Sequence, residues 1–185
     1  MPFAADNAAY SNWDEGKFFK LLDRLQGKSP LWVAAPDVVG NAKETDELFA
    51  KWWPEIKQKR KLPIALVLQN GQENIGFPAH WRYDAIFIGG DDAFKLGQYA
   101  RWSVDSHRKM GKWVHMGRVN SWKRLQYALE IGCDSIDGTA FSMYPEVYIP
   151  RTLRYLERPQ MQLPGFARFG LRQGSAACPL HPMVI

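Results

Sequence analysis

Six short apolar runs punctuate this chain, and each stops at a polar, usually acidic, cluster. They are FAADN (3–7), LWVAAPD (31–37), IALVLQNG (64–71), AIFIGGDD (85–92), WVHMGRVN (113–120) and DSIDGT (134–139). Short, nearly continuous apolar runs suit strands buried on both faces, as in a parallel sheet covered by helices. If each run is such a strand, the ends share one rim. Asp6, Asp37, Gln69, Gly89, Gly90, Met116 and Asp137 then converge on one pocket.

The segments between the runs carry helical periodicity. Residues 14–27 put Phe18, Leu21, Leu22 and Leu25 on one face, with Gly27 as a stop. Residues 42–61 repeat the pattern with Leu48, Trp52 and Ile56, and Pro54 either kinks that helix or starts a second one. Residues 92–110 and 121–132 read the same way. In the latter, Ser121 is a candidate N-cap and Leu125, Ala128 and Leu129 form the buried stripe. Residues 145–158 make a last helix, with Leu153 and Leu156 facing inward.

Alternating strands and helices imply an α/β fold. A doubly wound sheet normally has a glycine-rich turn after its first strand, whereas the first run here ends in Asp6-Asn7. A (β/α) barrel instead collects functional groups at the C-terminal ends of many strands. The expected architecture is therefore a TIM-like (β/α) barrel, compact or incomplete, with about six to eight parallel strands. It spans residues 1–158, and residues 159–185 form a C-terminal tail rich in Pro, Gly and Arg. A barrel short of strands exposes sheet edges, which a homodimer or the tail would cover.

With 185 residues, the chain is long enough for one domain with a core that needs no disulfide or metal staple. No apolar run approaches the roughly 18 residues of a membrane span. The start, MPFAADNAAY, lacks the basic and apolar stretches of a secretory signal. The two cysteines, Cys133 and Cys178, read as reduced thiols, so a cytoplasmic setting is expected. Neither CxxC nor HxxxH spacing occurs, and no metal or other cofactor is expected. The net charge of +5 suits a polyanionic partner, or simply a soluble basic protein.

Asp6, Asp37 and Asp137 each end an apolar run. A carboxylate at such a position can cap the next helix, or it can have its pKa tuned for nucleophilic or proton-transfer work. Gly89-Gly90 lets a ligand approach the backbone. Gln69 offers a donor and an acceptor to the edge of a flat base. Tyr10 and Met116 could sandwich a planar heterocycle. Arg118, Asn120, Lys123 and Arg124 follow the same run as Met116 and could hold backbone phosphates.

Taken in order, these segments resemble the tRNA-guanine transglycosylase superfamily. They look most like its short queuine tRNA-ribosyltransferase-like relatives, and like the phage and bacterial enzymes that place deazapurines in DNA. Asp6-Asn7-Ala8-Ala9-Tyr10-Ser11 stands where the family has Asp-Ser-Gly-Gly-Tyr/Phe-Gln. The resemblance implies proton transfer by Asp6, stacking by Tyr10 and recognition of the purine edge by Asp37. It matches Gln69-Asn70-Gly71 to the family's Gln-Gly segment and Gly89-Gly90 to its Gly-Gly. Met116-Gly117 matches its Met-Gly, with the methionine closing the sandwich. Asp137, in Asp134-Ser135-Ile136-Asp137, matches the nucleophilic aspartate. The chain departs from the family at Ala8-Ala9. It departs again at Gly138-Thr139, where tRNA enzymes have Cys-x-x-Pro-Thr-Arg, and it lacks their three-Cys-one-His zinc module.

The resemblance implies an enzyme that attacks the N-glycosidic bond of a flipped-out base in DNA, or alternatively tRNA. A free 7-deazapurine would be the co-substrate of base exchange. If water enters instead, the same site is a glycosylase that excises an unusual base and leaves an abasic site. Two other readings stay open. One is a catalytically inactive nucleic-acid-binding module; the other is an unrelated barrel that holds a phosphorylated metabolite at Gly89-Gly90.

Overall fold

The computed structural model describes residues 2–157. The tail expected over 159–185 and Cys178 lie outside the described residues. Five parallel strands form one sheet: β1 (Val33–Ala34), β2 (Ile64–Leu68), β3 (Ala85–Ile88), β4 (Trp113–Met116) and β5 (Ser135–Ile136). Their spatial order is their sequence order. The sheet has no reversal point of the doubly wound kind. It curls into a half-barrel, and among the described residues no closed barrel forms.

The first apolar run contributes less than a full strand. It makes one parallel bridge, Ala5 to Val33, backed by the bonds Ala5 N–H to Trp32 O and Ala34 N–H to Ala5 O. The chain then turns at Asp6-Asn7 into the short helix α1 (Ala9–Asn12).

Helices α2 (Glu15–Leu25) and α3 (Ala42–Trp53) follow the expected periodicity, with Asp14 and Asn41 as N-caps. At Pro54 a second helical segment starts, one of the two expected outcomes: α3 gives way to a π-helical turn over Pro54–Lys59. Proline lacks the N–H for an α-type bond, which accounts for the change of winding at that residue. A short α4 (Gln72–Ile75) precedes β3.

The helix expected over 92–110 is two helices, α5 (Asp92–Lys95) and α6 (Gln98–Lys109). They part at Gly97, where a Cβ would lie 2.9 Å from the Ala93 carbonyl oxygen. Ser121 caps α7 (Trp122–Ile131) as expected. After α8 (Thr139–Met143), α9 (Pro145–Glu157) buries Thr152; Leu153 is half-buried, and Leu156, expected inside, is exposed.

Two apolar clusters show how the sheet is clothed. One joins Val33, Ile64, Leu66, Leu68, Ile86, Ile88, Val114, Met116 and Ile136 to the helices. The other gathers Trp32, Ala34, Ala65, Val67 and Ala85 on the concave face. Side chains alternate sides along a strand, so odd and even positions belong to different clusters. Small residues on the concave face leave room, and that room is the cavity described next.

Candidate active site

The ladders pair Leu68, Ile88, Met116 and Ile136 in one row, which faces the helices. One residue further along, the same register brings Gln69, Gly89, Gly117 and Asp137 side by side on the concave side. These four line a cavity of about 970 Å³ at the C-terminal end of the sheet, with Asp6, Asn7, Tyr10, Asp37, Gly90, Lys95, His115, Arg118 and Asn120 among the other walls. Ala34, Val67, Phe87 and Trp32 form its apolar floor.

Asp137 is the most elaborately held carboxylate. One oxygen accepts the Arg118 backbone N–H, and the other lies 3.1 Å from His115 Nε2. His115 is 1% exposed, and its Nδ1 is 2.8 Å from Ser135 Oγ, which also accepts the Trp113 indole N–H at 2.8 Å. Indole N–H can only donate. The Ser135 hydroxyl can donate to His115 Nδ1 or accept from it, and in either arrangement Nε2–H donates to Asp137. Burial alone would raise the Asp137 pKa. The His115 bond and charge, the Arg118 N–H and the nearby Lys95 outweigh it and hold the carboxyl below its ordinary value. Ser135 is buried and does not line the cavity, so the Ser-His-Asp chain serves the aspartate rather than a serine nucleophile.

Asp37 is set the opposite way. Asn7 Nδ2 donates to one oxygen at 2.7 Å and Gln69 Nε2 to the other at 2.7 Å. Burial outweighs both bonds, and with Asp6 nearby the Asp37 pKa is raised. Asn7 is itself fixed, donating also to Ala35 O and accepting from the Ala9 N–H.

Gln69, expected to read a base edge, spends one amide N–H on Asp37. Besides Asp37, its Oε1 accepts the N–H groups of Gly40 at 2.9 Å and Gly90 at 2.8 Å. It positions Asp37. The glycines follow from this packing: a Cβ on Gly89 would lie 2.7 Å from Gln69 Nε2, and Gly90 has φ of +74°. Neither glycine N–H is left for a ligand, since Gly89 donates to Leu68 O and Gly90 to Gln69.

Met116 does not reach the cavity. It is completely buried on the helix side of β4, because the alternation that sends His115 inward sends Met116 outward. Tyr10 lines the mouth at 66% exposure. Its ring carries the Arg118 guanidinium at 3.9 Å, and no Tyr10–Met116 sandwich exists. Asp6 is an exposed residue at the same mouth and accepts the Asn7 N–H.

Arg118 and Asn120 line the cavity, whereas Lys123 and Arg124 do not. Lys123 is exposed on α7, and Arg124 is tied to Asp92 and to the Arg118 carbonyl. Arg118 and Ala8 both adopt left-handed backbone, with φ of 57° and 59°. Non-glycine residues reach that region at a cost, and such strain gathers at functional sites.

Lys95, His115 and Asn7 are cavity residues that the apolar-run pattern did not single out. Lys95 is 2% exposed, and its Nζ donates to Gly117 O at 2.9 Å. Burial, then Arg118 and Arg124, push its pKa down to about 8 against the pull of Asp137 and Asp92. Among the described residues, no three His, Cys, Asp or Glu side chains are grouped to hold a metal ion, and no helix is long and apolar enough to cross a membrane. Cys133 is a half-buried free thiol whose pKa burial pushes up. The chain matches no family model and no curated protein.

Proposed function

We propose that this chain is an enzyme acting on the N-glycosidic bond of a flipped-out base in DNA, or alternatively tRNA, by the base-exchange chemistry of the guanine transglycosylases that its motifs resemble. The observation that carries the reading is the opposite setting of two carboxyls in one cavity, Asp137 held low and Asp37 held high. Pairs whose environments drive their pKa values apart suit a nucleophile and a proton carrier. The half-barrel is then part of a TIM-like architecture, with the strand-end site usual for it. A second copy of the chain is a candidate to cover its open edges.

In this mechanism Asp137 attacks the anomeric carbon. The C1′–N bond breaks as the C1′–O bond to Asp137 forms, and the departing base takes the proton of Asp37. A free 7-deazapurine then returns a proton to Asp37 and takes C1′ from Asp137. Phe87 and Trp32 supply an apolar floor for the base, and Arg118 and Asn120 meet the flanking phosphates at the mouth. Asp37 takes the proton role in place of Asp6 because it is the enclosed carboxyl of the two.

The test incubates purified protein with labelled 7-deazaguanine and either DNA or tRNA. Label should enter DNA, and Asp137→Asn should lower the rate on the order of 10³-fold or more. Alkali-labile sites without label would indicate excision by water. Neither product, or an Asp137→Asn protein as active as the wild type, would sink the proposal.

A further inference from the structure

Lys95 and Asp137 hold the two ends of one peptide group. Lys95 Nζ donates to the Gly117 carbonyl, and Asp137 accepts the Arg118 N–H; these are the C=O and N–H of the same Gly117–Arg118 peptide. A trans peptide points them in opposite directions, so the amine and the carboxylate flank a single planar unit. Both residues line the cavity. The break between α5 and α6 brings Lys95 there, on a short helix whose N-cap, Asp91, accepts the Phe94 N–H.

A buried lysine that serves only as a tether is normally neutralised by a carboxylate. Among the described residues, Lys95 makes no ion pair within 4.0 Å. The charged groups that act on it are Arg118, Arg124, Asp137 and Asp92, and burial together with the two arginines raises the share of neutral amine above that of an ordinary lysine. A desolvated lysine beside other cations is the usual form of an amine nucleophile for carbonyl carbon.

We propose that Lys95 is an imine-forming residue: its Nζ condenses with the open-chain C1′ aldehyde of an abasic 2-deoxyribose held in the cavity. This rests on the reading of the cavity as a site for a nucleic-acid sugar. When water rather than a second base releases the sugar from Asp137, the product is a hemiacetal in equilibrium with its aldehyde. The neutral amine adds to C1′ and its proton passes to the former carbonyl oxygen, giving a carbinolamine. Loss of that hydroxyl with the second amine proton, as water, leaves the C=N bond, and hydrolysis returns amine and aldehyde. The cavity would thereby retain an abasic strand instead of freeing a reactive aldehyde.

A DNA oligonucleotide carrying one abasic site, mixed with the protein and sodium borohydride, tests this directly. Reduction should leave a stable protein–DNA adduct, and peptide mapping should place it on Lys95. Lys95→Arg keeps a donor for the Gly117 carbonyl but forms no imine, so adduct yield should fall at least tenfold. Lys109→Ala, on an exposed lysine of α6, should leave the yield unchanged. No adduct, an adduct mapped to another amine, or a full yield from Lys95→Arg would overturn the assignment. Because the probe has no base at the reacting sugar, the result is independent of base exchange. Label incorporation without an adduct refutes only the imine, and an adduct without incorporation refutes only the exchange.

Discussion

At the scale of single residues, the site is governed by which polar atoms are already spoken for. Gln69 satisfies Asp37 and two backbone N–H groups while 3% exposed. Gln69→Leu would leave the buried Gly90 N–H unpaired, at a cost of about 1–3 kcal/mol, and would remove one of the two side-chain donors to Asp37. The expected loss in urea unfolding is about 1–3 kcal/mol, with lowered activity because Asp37 is then held by Asn7 alone. A near-neutral result would mean that the amide is not a structural hub. Asp137 shows the converse economy. His115, Ser135 and Trp113 form a hydrogen-bonded chain behind it, and none of the three was marked by the run pattern. Asp6, Asp37 and Asp137 were equally prominent as run endings. Only their surroundings separate an exposed mouth residue from an enclosed carboxyl with a raised pKa and a carboxylate held low.

At the scale of elements, the decisive feature is the parting of α5 from α6. Gly97→Ala puts a methyl group 2.9 Å from the Ala93 carbonyl and 3.2 Å from the Phe94 carbonyl. Overpacking of that kind costs about 1–3 kcal/mol, so the midpoint of chemical unfolding should fall. The adjoining α5 should also shift Lys95 out of the cavity; an unchanged midpoint would show that the break can absorb a side chain. On α6, His107 is completely buried, with Nδ1 donating to Ser103 O at 2.7 Å and Nε2 accepting from Tyr83 at 2.9 Å. Phe77 packs edge-on against its ring, and burial, with Lys112 nearby, holds its pKa below 6.5. The folded protein therefore resists protonation that the unfolded chain accepts. Stability is complete above about pH 6.5 and is lost as pH falls from there toward the lower folded value, by at most about 1.4 kcal/mol per pH unit. Melting temperatures between pH 7.5 and 5.5 should show this slope, and His107→Gln should flatten it. An equal slope in both proteins would place the titration elsewhere.

At the scale of the whole molecule, the net charge of +5 bears on the partner. Binding to single-stranded DNA should weaken as salt rises, and Arg118→Ala should lower the slope of log K against log salt by about one phosphate contact. A salt-independent affinity would speak against a polyanion. The sequence by itself determined the α/β class, the places of the five strands within the apolar runs, the cap at Ser121, and the meeting of Asp37, Gln69, Gly89 and Asp137 at one rim. These follow from local patterns: apolar run length, helical spacing and the habit of parallel strands to end together. Tertiary structure alone decided which face each rim residue takes. Strand alternation and pairing register send Met116 to the core and His115 to the cavity, although the two are adjacent in sequence. It also decided that Gln69 holds Asp37, that the first run makes one bridge, and that the sheet of the described residues is a half-barrel. Those outcomes depend on partners about 20 to 30 residues away along the chain, and no local pattern of side chains encodes them.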